Sequence, residues 1–151
     1  MSGIDRRTVL VGTAALAAAG PALTRAARAD APIGQLIQEV FGNRKPKPGV
    51  IAMKLSPIAE NGLAVPVTLS VDDTPANVKR IVLLAPGNPF PKAAEYQFGP
   101  RAAKVEVATR VRLARSQEVT AIAELKDGSL WSASADITIT SGACAEIYDG
   151  H

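Results

Sequence analysis

Lys104-Val105-Glu106-Val107-Ala108-Thr109-Arg110-Val111-Arg112-Leu113-Ala114 is the stretch that decides the fold. Val105, Val107, Thr109, Val111 and Leu113 face one way, and Glu106, Ala108, Arg110, Arg112 and Ala114 face the other. A period of two with a polar outer face predicts a half-buried strand. Glu118 to Lys126 repeats the pattern, and Asp127-Gly128 closes a hairpin onto Leu130 to Thr140. Upstream, Val50 to Leu55 and Leu63 to Val71 read as strands, with Glu60-Asn61-Gly62 as the turn signal between them. Pro66 predicts an edge strand or a bulge. In Val78 to Ala85 the apolar residues Ile81, Val82, Leu83 and Leu84 are contiguous, as in a strand covered on both faces. A weaker strand around Ala94 to Phe98 brings the count to seven. Pro86-Gly87-Asn88-Pro89-Phe90-Pro91 is a stiff loop that joins no ladder. The one helical period lies before all of these, where Ile33, Leu36, Ile37, Val40 and Phe41 form a single apolar stripe. Gly42 predicts a left-handed cap, and Pro46 and Pro48 prevent continuation. The stripe is read as core packing or as a cover for the open side of a heterodimer. The expected architecture is an all-β, immunoglobulin-like antiparallel sandwich of about seven strands with a short N-terminal helix.

Composition limits the function. The 151 residues suffice for one domain with a core. Apolar residues make up 47% and charged residues 21%, which argues against a disordered chain. Aromatic residues are only 4%, too few for a base-stacking platform. The formal charge of +3 resides entirely in residues 1–29, which hold four Arg and one Asp. The remaining chain balances 13 Lys and Arg against 13 Asp and Glu, so no footprint for nucleic acid is expected. One Cys and one His exclude an internal disulfide and a zinc site built on several such ligands. No cofactor and no metal site are expected.

Residues 1–29 read as a targeting segment. Asp5-Arg6-Arg7-Thr8-Val9-Leu10 sets paired arginines before the apolar run Val9 to Ala19. That run is too short to span a bilayer, so no membrane attachment is expected after cleavage. Ala27-Arg28-Ala29 suits a signal peptidase cutting before Asp30. A twin-arginine leader implies export in the folded state to the periplasm. The alternative is a general-secretion leader with incidental arginines. The expected organisation is a leader over 1–29, a sandwich over 30–140 and a flexible arm over 141–151.

Cys144 is the only thiol. It comes after the last expected strand in Ser141-Gly142-Ala143-Cys144-Ala145-Glu146. A free cysteine in an exported protein is normally paired or purged, because exposed thiols oxidise. Gly142, Ala143 and Ala145 make its surroundings slim and flexible, so the thiol fits into a deep site on another protein. Its sulfur is the strongest common side-chain nucleophile near neutral pH. No cation flanks it, and Glu146 disfavours the thiolate, so activation is left to the partner's site. No histidine precedes it, which argues against a thiol enzyme in its own right. His151 reads as a solvated terminal residue, and with Cys144 it supplies only two metal ligands, a weak set.

Along its length the chain resembles the SoxY family, the carrier Y subunit of the periplasmic sulfur-oxidation (Sox) system. The resemblance is carried by the twin-arginine leader, Ala59-Glu60-Asn61-Gly62-Leu63-Ala64-Val65-Pro66-Val67 and Val78-Lys79-Arg80-Ile81. It continues through Asn88-Pro89-Phe90-Pro91, Ala94-Glu95-Tyr96, Thr109-Arg110-Val111-Arg112-Leu113-Ala114 and Asp127-Gly128-Ser129. It implies a sandwich subunit, itself no enzyme, forming a heterodimer with a SoxZ-like partner. The C-terminal Cys then holds thiosulfate-derived sulfur while separate Sox enzymes load and process it; by position that residue is Cys144. The family typically ends in Gly-Gly-Cys-Gly-Gly, where this chain has Gly142-Ala143-Cys144-Ala145-Glu146 and then Ile147 to His151. The added methyl groups, charge and tail imply an arm matched to a different loading enzyme, or one that has left the pathway.

The competing reading is a non-catalytic periplasmic binding or assembly module in which Cys144 is incidental. Arg110, Arg112 and Arg115 read as a solvated strand face or a docking surface for an acidic partner. Asn88-Pro89-Phe90-Pro91 reads as a rigid turn or part of a partner interface.

Overall fold

The protein was analysed as a computed structural model that describes residues 32–99 and 101–140. The expected leader, the arm and with it Gly142, Ala143, Cys144, Ala145 and His151 lie outside the described residues. Helix α1 (Ile33–Phe41) occupies the stretch its apolar stripe predicts. Gly42 ends it at φ 70° and ψ −150°, a positive-φ geometry closer to glycine-only space than to the left-handed helical cap expected. Among the described residues nine strands come after it: β1 (Lys47–Pro48), β2 (Ile51–Leu55), β3 (Ile58–Ala59), β4 (Val65–Val71), β5 (Val78–Leu84), β6 (Lys92–Tyr96), β7 (Val105–Val111), β8 (Gln117–Leu125) and β9 (Leu130–Ile139). The seven expected strands are all present. The two additions are two-residue strands that exist only by pairing in parallel with β9, Lys47↔Trp131 and Ile58↔Thr138.

The strands form a sandwich. One sheet has the order β1-β9-β8-β5-β6, with β3 also on β9, and the other has the order β2-β4-β7. Alternation in β4 sends Val65, Val67, Leu69 and Val71 inward, all buried. They meet Ile81 and Leu83 of β5, Val105 and Val111 of β7, and Val119, Ala121 and Ala123 of β8 in one core. Pro66 differs from expectation, because β4 is the central strand of its sheet. It is tolerated there because pairing with β2 begins only at Val67, which leaves position 66 locally at an edge.

A second core lies on the outer face of the larger sheet. Leu36 and Phe41 of α1 pack on Val82 and Leu84 of β5, Ile122 of β8 and Leu130 of β9. The helix therefore covers its own sheet, which settles the reading of its stripe as core packing. It also explains the contiguous apolar run of β5. The half-buried pattern expected of Glu118 to Lys126 is corrected by the same contact: β8 is buried on both faces from Val119 to Leu125. Phe41→Ala is expected to cost about 3 kcal/mol by opening a cavity under the helix, read as a lower midpoint in urea unfolding.

Candidate functional site

The strand registers place Thr140 at one end of the sandwich, together with the connections 56–64, 85–91 and 112–116. Here β9 is held to its neighbours. Thr138 N–H donates to Pro57 O at 2.9 Å, and Thr140 N–H donates to Ala59 O at 3.1 Å. The Thr140 hydroxyl donates to Glu60 O at 2.8 Å. Ser116 Oγ accepts from Ile139 N–H at 2.8 Å. The root of the expected arm is thus clasped between β3 and the β7–β8 connection. Cys144 lies four residues past Thr140, a reach of at most about 14 Å.

The same end carries a polar knot centred on Asn88 and Gln117. Asn88 Oδ1 accepts from Ala114 N–H at 2.9 Å and Gln117 Nε2 at 3.2 Å, while its Nδ2 donates to Arg112 O at 2.8 Å. Gln117 Oε1 accepts from Gly87 N–H at 2.7 Å. These bonds fix the proline-rich loop to the β7–β8 connection, beside the serine that clasps β9. Asn88→Ala would leave the Ala114 N–H and the Arg112 carbonyl without these partners. Its expected effect is about 1–2 kcal/mol of lost stability in thermal unfolding.

Phe90, flanked by prolines, projects from this loop and is 82% exposed. It borders a groove of about 540 Å³ between β6 and β7, the open edges of the two sheets. The groove brings together two separate sequence features, the Asn88–Pro91 loop and the Arg110–Arg112 pair. Sequence reasoning found both but not their meeting, because they lie on different strand connections. It missed the roles of Ser116 and Gln117, which carry no motif.

The opposite end holds the strongest electrostatic feature. Glu124 is only 2% exposed and receives Arg80 Nε at 2.6 Å, Arg44 Nη1 at 3.0 Å and Lys79 Nζ at 3.1 Å. Burial pushes its carboxyl up, but the hydrogen bonds from Arg80, Arg44 and Lys79 and the charge of Arg80 outweigh that and hold it down to about 2. Arg44 also donates to the last helical carbonyl, Phe41 O, at 3.0 Å. Arg80 sits 5.1 Å from the Phe41 ring centre. This cluster ties α1 to the sheet and lies at the end of the sandwich away from Thr140. Among the described residues no group of three or more His, Cys, Asp or Glu converges as a metal site would, and no helix is long and apolar enough to cross a membrane.

Two sheets packed face to face, with a helix on the outer face of the larger one and the end of β9 clasped by its neighbours, define a small immunoglobulin-like β-sandwich protein. The sulfur oxidation protein SoxY family matches residues 37–144, and the chain belongs to that family. In structure it is similar to the sulfur carrier protein SoxY from Chlorobium limicola f thiosulfatophilum, with 29% identity and a TM-score of 0.60. That match covers 72% of this chain and 96% of the other. A superoxide reductase (neelaredoxin) from Ignicoccus hospitalis matches at 22% identity and a TM-score of 0.51, over 60% of this chain and 80% of that one, and shows the fold alone. No curated protein sequence matches the chain.

Proposed function

We propose that this chain is a periplasmic covalent sulfur carrier. Cys144 holds a sulfur intermediate of thiosulfate oxidation, and the arm 141–151 presents it to partner enzymes. The chain performs no catalysis itself. It is exported through its twin-arginine leader and works beside a SoxZ-like subunit. The observation that carries this reading is that the family match runs to position 144, the single cysteine of the chain. The clasp on Thr140 supports it mechanically: a cargo arm needs a fixed root, so that motion beyond it does not unravel β9. The test is mass analysis of the C-terminal peptide after exposure to thiosulfate and the pathway enzymes, in the wild-type chain and in Cys144→Ser. A sulfur adduct on the wild-type peptide alone is the expected result.

A further inference from the structure

The groove between β6 and β7 finds its chemical complement in the chain's own sequence. We propose that Glu146-Ile147-Tyr148-Asp149 folds back into it, with Ile147 and Tyr148 against Phe90, Ala94 and Tyr96 and the two carboxylates on Arg110 and Arg112. The docking rests on the groove and the tail sequence; what it does for the thiol rests on the carrier reading.

Four observations carry it. The first is charge. Arg110 and Arg112 are exposed and, among the described residues, no carboxylate pairs with either. The groove lining adds a third cation, Lys92, which is shared with Glu95, and includes no acidic side chain. Residues 141–151 hold two carboxylates, Glu146 and Asp149, and no Lys or Arg, so the two surfaces attract. The second is apolar match. Phe90 is exposed on the groove's rim and Tyr96 lines it. Between its carboxylates the tail carries Ile147 and Tyr148, the only large apolar side chains of residues 140–151. Aromatic residues and arginine are the types that concentrate binding energy at contacts of this kind. The third is reach. β9 and β6 are three strand spacings apart in their sheet, about 14 Å. The six residues from Thr140 to Glu146 span up to about 20 Å. The two places also share one end of the sandwich, because Ser116 bonds Ile139 and its neighbour Gln117 bonds Asn88 in the groove wall. The fourth is the uncovered side itself. On the opposite side residues 47–59 bridge the sheets, with β1 and β3 on β9 and β2 on β4. Among the described residues nothing bridges β6 and β7, and such edges are ordinarily covered.

A weak contact suffices. A short tether sets an effective concentration in the millimolar range, so a contact with a dissociation constant of about 1 mM keeps the tail seated about half the time or more. The Asn88 and Gln117 knot already fixes the loop that carries Phe90, so docking orders little on the groove side. Cys144 stands two residues before Glu146, and a seated tail therefore holds the thiol within about 7 Å of the groove. There it is sheltered from the oxidants that attack exposed thiolates. An enzyme that takes the thiol first displaces the tail.

The experiment is nuclear magnetic resonance on the full chain with Cys144→Ser and His151→Cys, carrying a nitroxide at position 151. Broadening is expected on the amides of residues 92–96 and 110–112, with β2 left sharp. Arg110→Glu with Arg112→Glu should remove it, and adding Glu146→Arg with Asp149→Arg to that chain should restore it. Raising salt should weaken it. The arginine changes are on exposed side chains, and an unchanged melting temperature verifies the fold. In a second measurement without the nitroxide, a neutral thiol reagent should modify Cys144 about threefold or more faster in a chain lacking residues 146–151 than in the wild type. Broadening spread equally over residues 56–64 and the groove, or unmoved by the arginine reversals, overturns the proposal. So does broadening in a mixture of isotope-labelled chain with tagged unlabelled chain, which would seat the tail of a second copy. A groove without broadening is left to a different protein and overturns it as well. The tagged chain has no Cys144, so this readout is independent of sulfur loading, and failure of the carrier reading appears only as a missing adduct by mass.

Discussion

Cys144→Ser is expected to abolish sulfur loading completely while leaving the melting temperature unchanged. The chemistry explains the first half. An ordinary thiol titrates near pH 8.5, so a few per cent is thiolate at neutral pH, whereas a serine hydroxyl is essentially un-ionised there. Cargo held through a sulfur–sulfur bond also needs sulfur on the carrier, and oxygen offers no equivalent link. Joining the Cys144 thiolate to the outer sulfur of thiosulfate creates one sulfur–sulfur bond and releases two electrons. An electron-accepting enzyme must take them. Thiosulfate alone is therefore expected to leave the wild-type mass unchanged, and thiosulfate with the loading enzymes to raise it. The second half is a matter of position: Cys144 follows the end of β9 by five residues, and the bonds that clasp β9 are made through Thr138, Ile139 and Thr140. A Cys144→Ser chain that still drove sulfur turnover would defeat the carrier reading and leave the binding-module reading in its place.

The strands were legible wherever one face met water. The alternation of Val105 to Val111 survives intact in β7, with Glu106, Ala108 and Arg110 exposed. The run Ile81 to Leu84 told of cover on both faces without saying what covers it; the answer, α1, is a tertiary contact. That same contact hid the true character of β8. Glu124 reads as a solvent-facing position in an alternating strand, yet it is buried, because Arg44, Lys79 and Arg80 reach it from three other places in the chain. No local pattern announces such a convergence. The strands β1 and β3 were illegible for a related reason, since two residues have no period and take their identity from β9. Of the candidate site, Cys144 stands out in the sequence as the single thiol of the chain, and it lies outside the described residues. The groove was not, because its aromatic and cationic halves become neighbours only when the edges of the two sheets stand side by side.

Glu124→Gln is expected to destabilise the protein by about 3 kcal/mol at neutral pH without affecting the thiol. Removing one member of a buried ionic cluster leaves the others uncompensated, which typically costs about 3–5 kcal/mol. The lower end applies here because Arg44 and Lys79, with side chains 42% and 58% exposed, can turn toward water, whereas Arg80 at 21% has less freedom. The pH dependence gives an independent check. The folded carboxyl is held down to about 2 from an ordinary value of 4.5. A depressed folded value means that the stabilisation is fully present above pH 4.5 and is lost as pH falls toward 2. The corresponding free energy is on the order of 3 kcal/mol. Glu95, lowered by the Lys92 hydrogen bond and by Arg80, and Asp127, lowered by Ser129, act in the same direction. The quantity to measure is therefore the difference between wild type and Glu124→Gln in urea unfolding across that range. It should be greatest above pH 4.5 and shrink toward zero near pH 2. The helix should register the same loss locally, since Arg44 links Glu124 to the Phe41 carbonyl at its end. Amide exchange in α1 should accelerate more than in β4 and β7, which touch none of the cluster. A difference independent of pH would mean that the cations, and not the charge on Glu124, hold the helix in place.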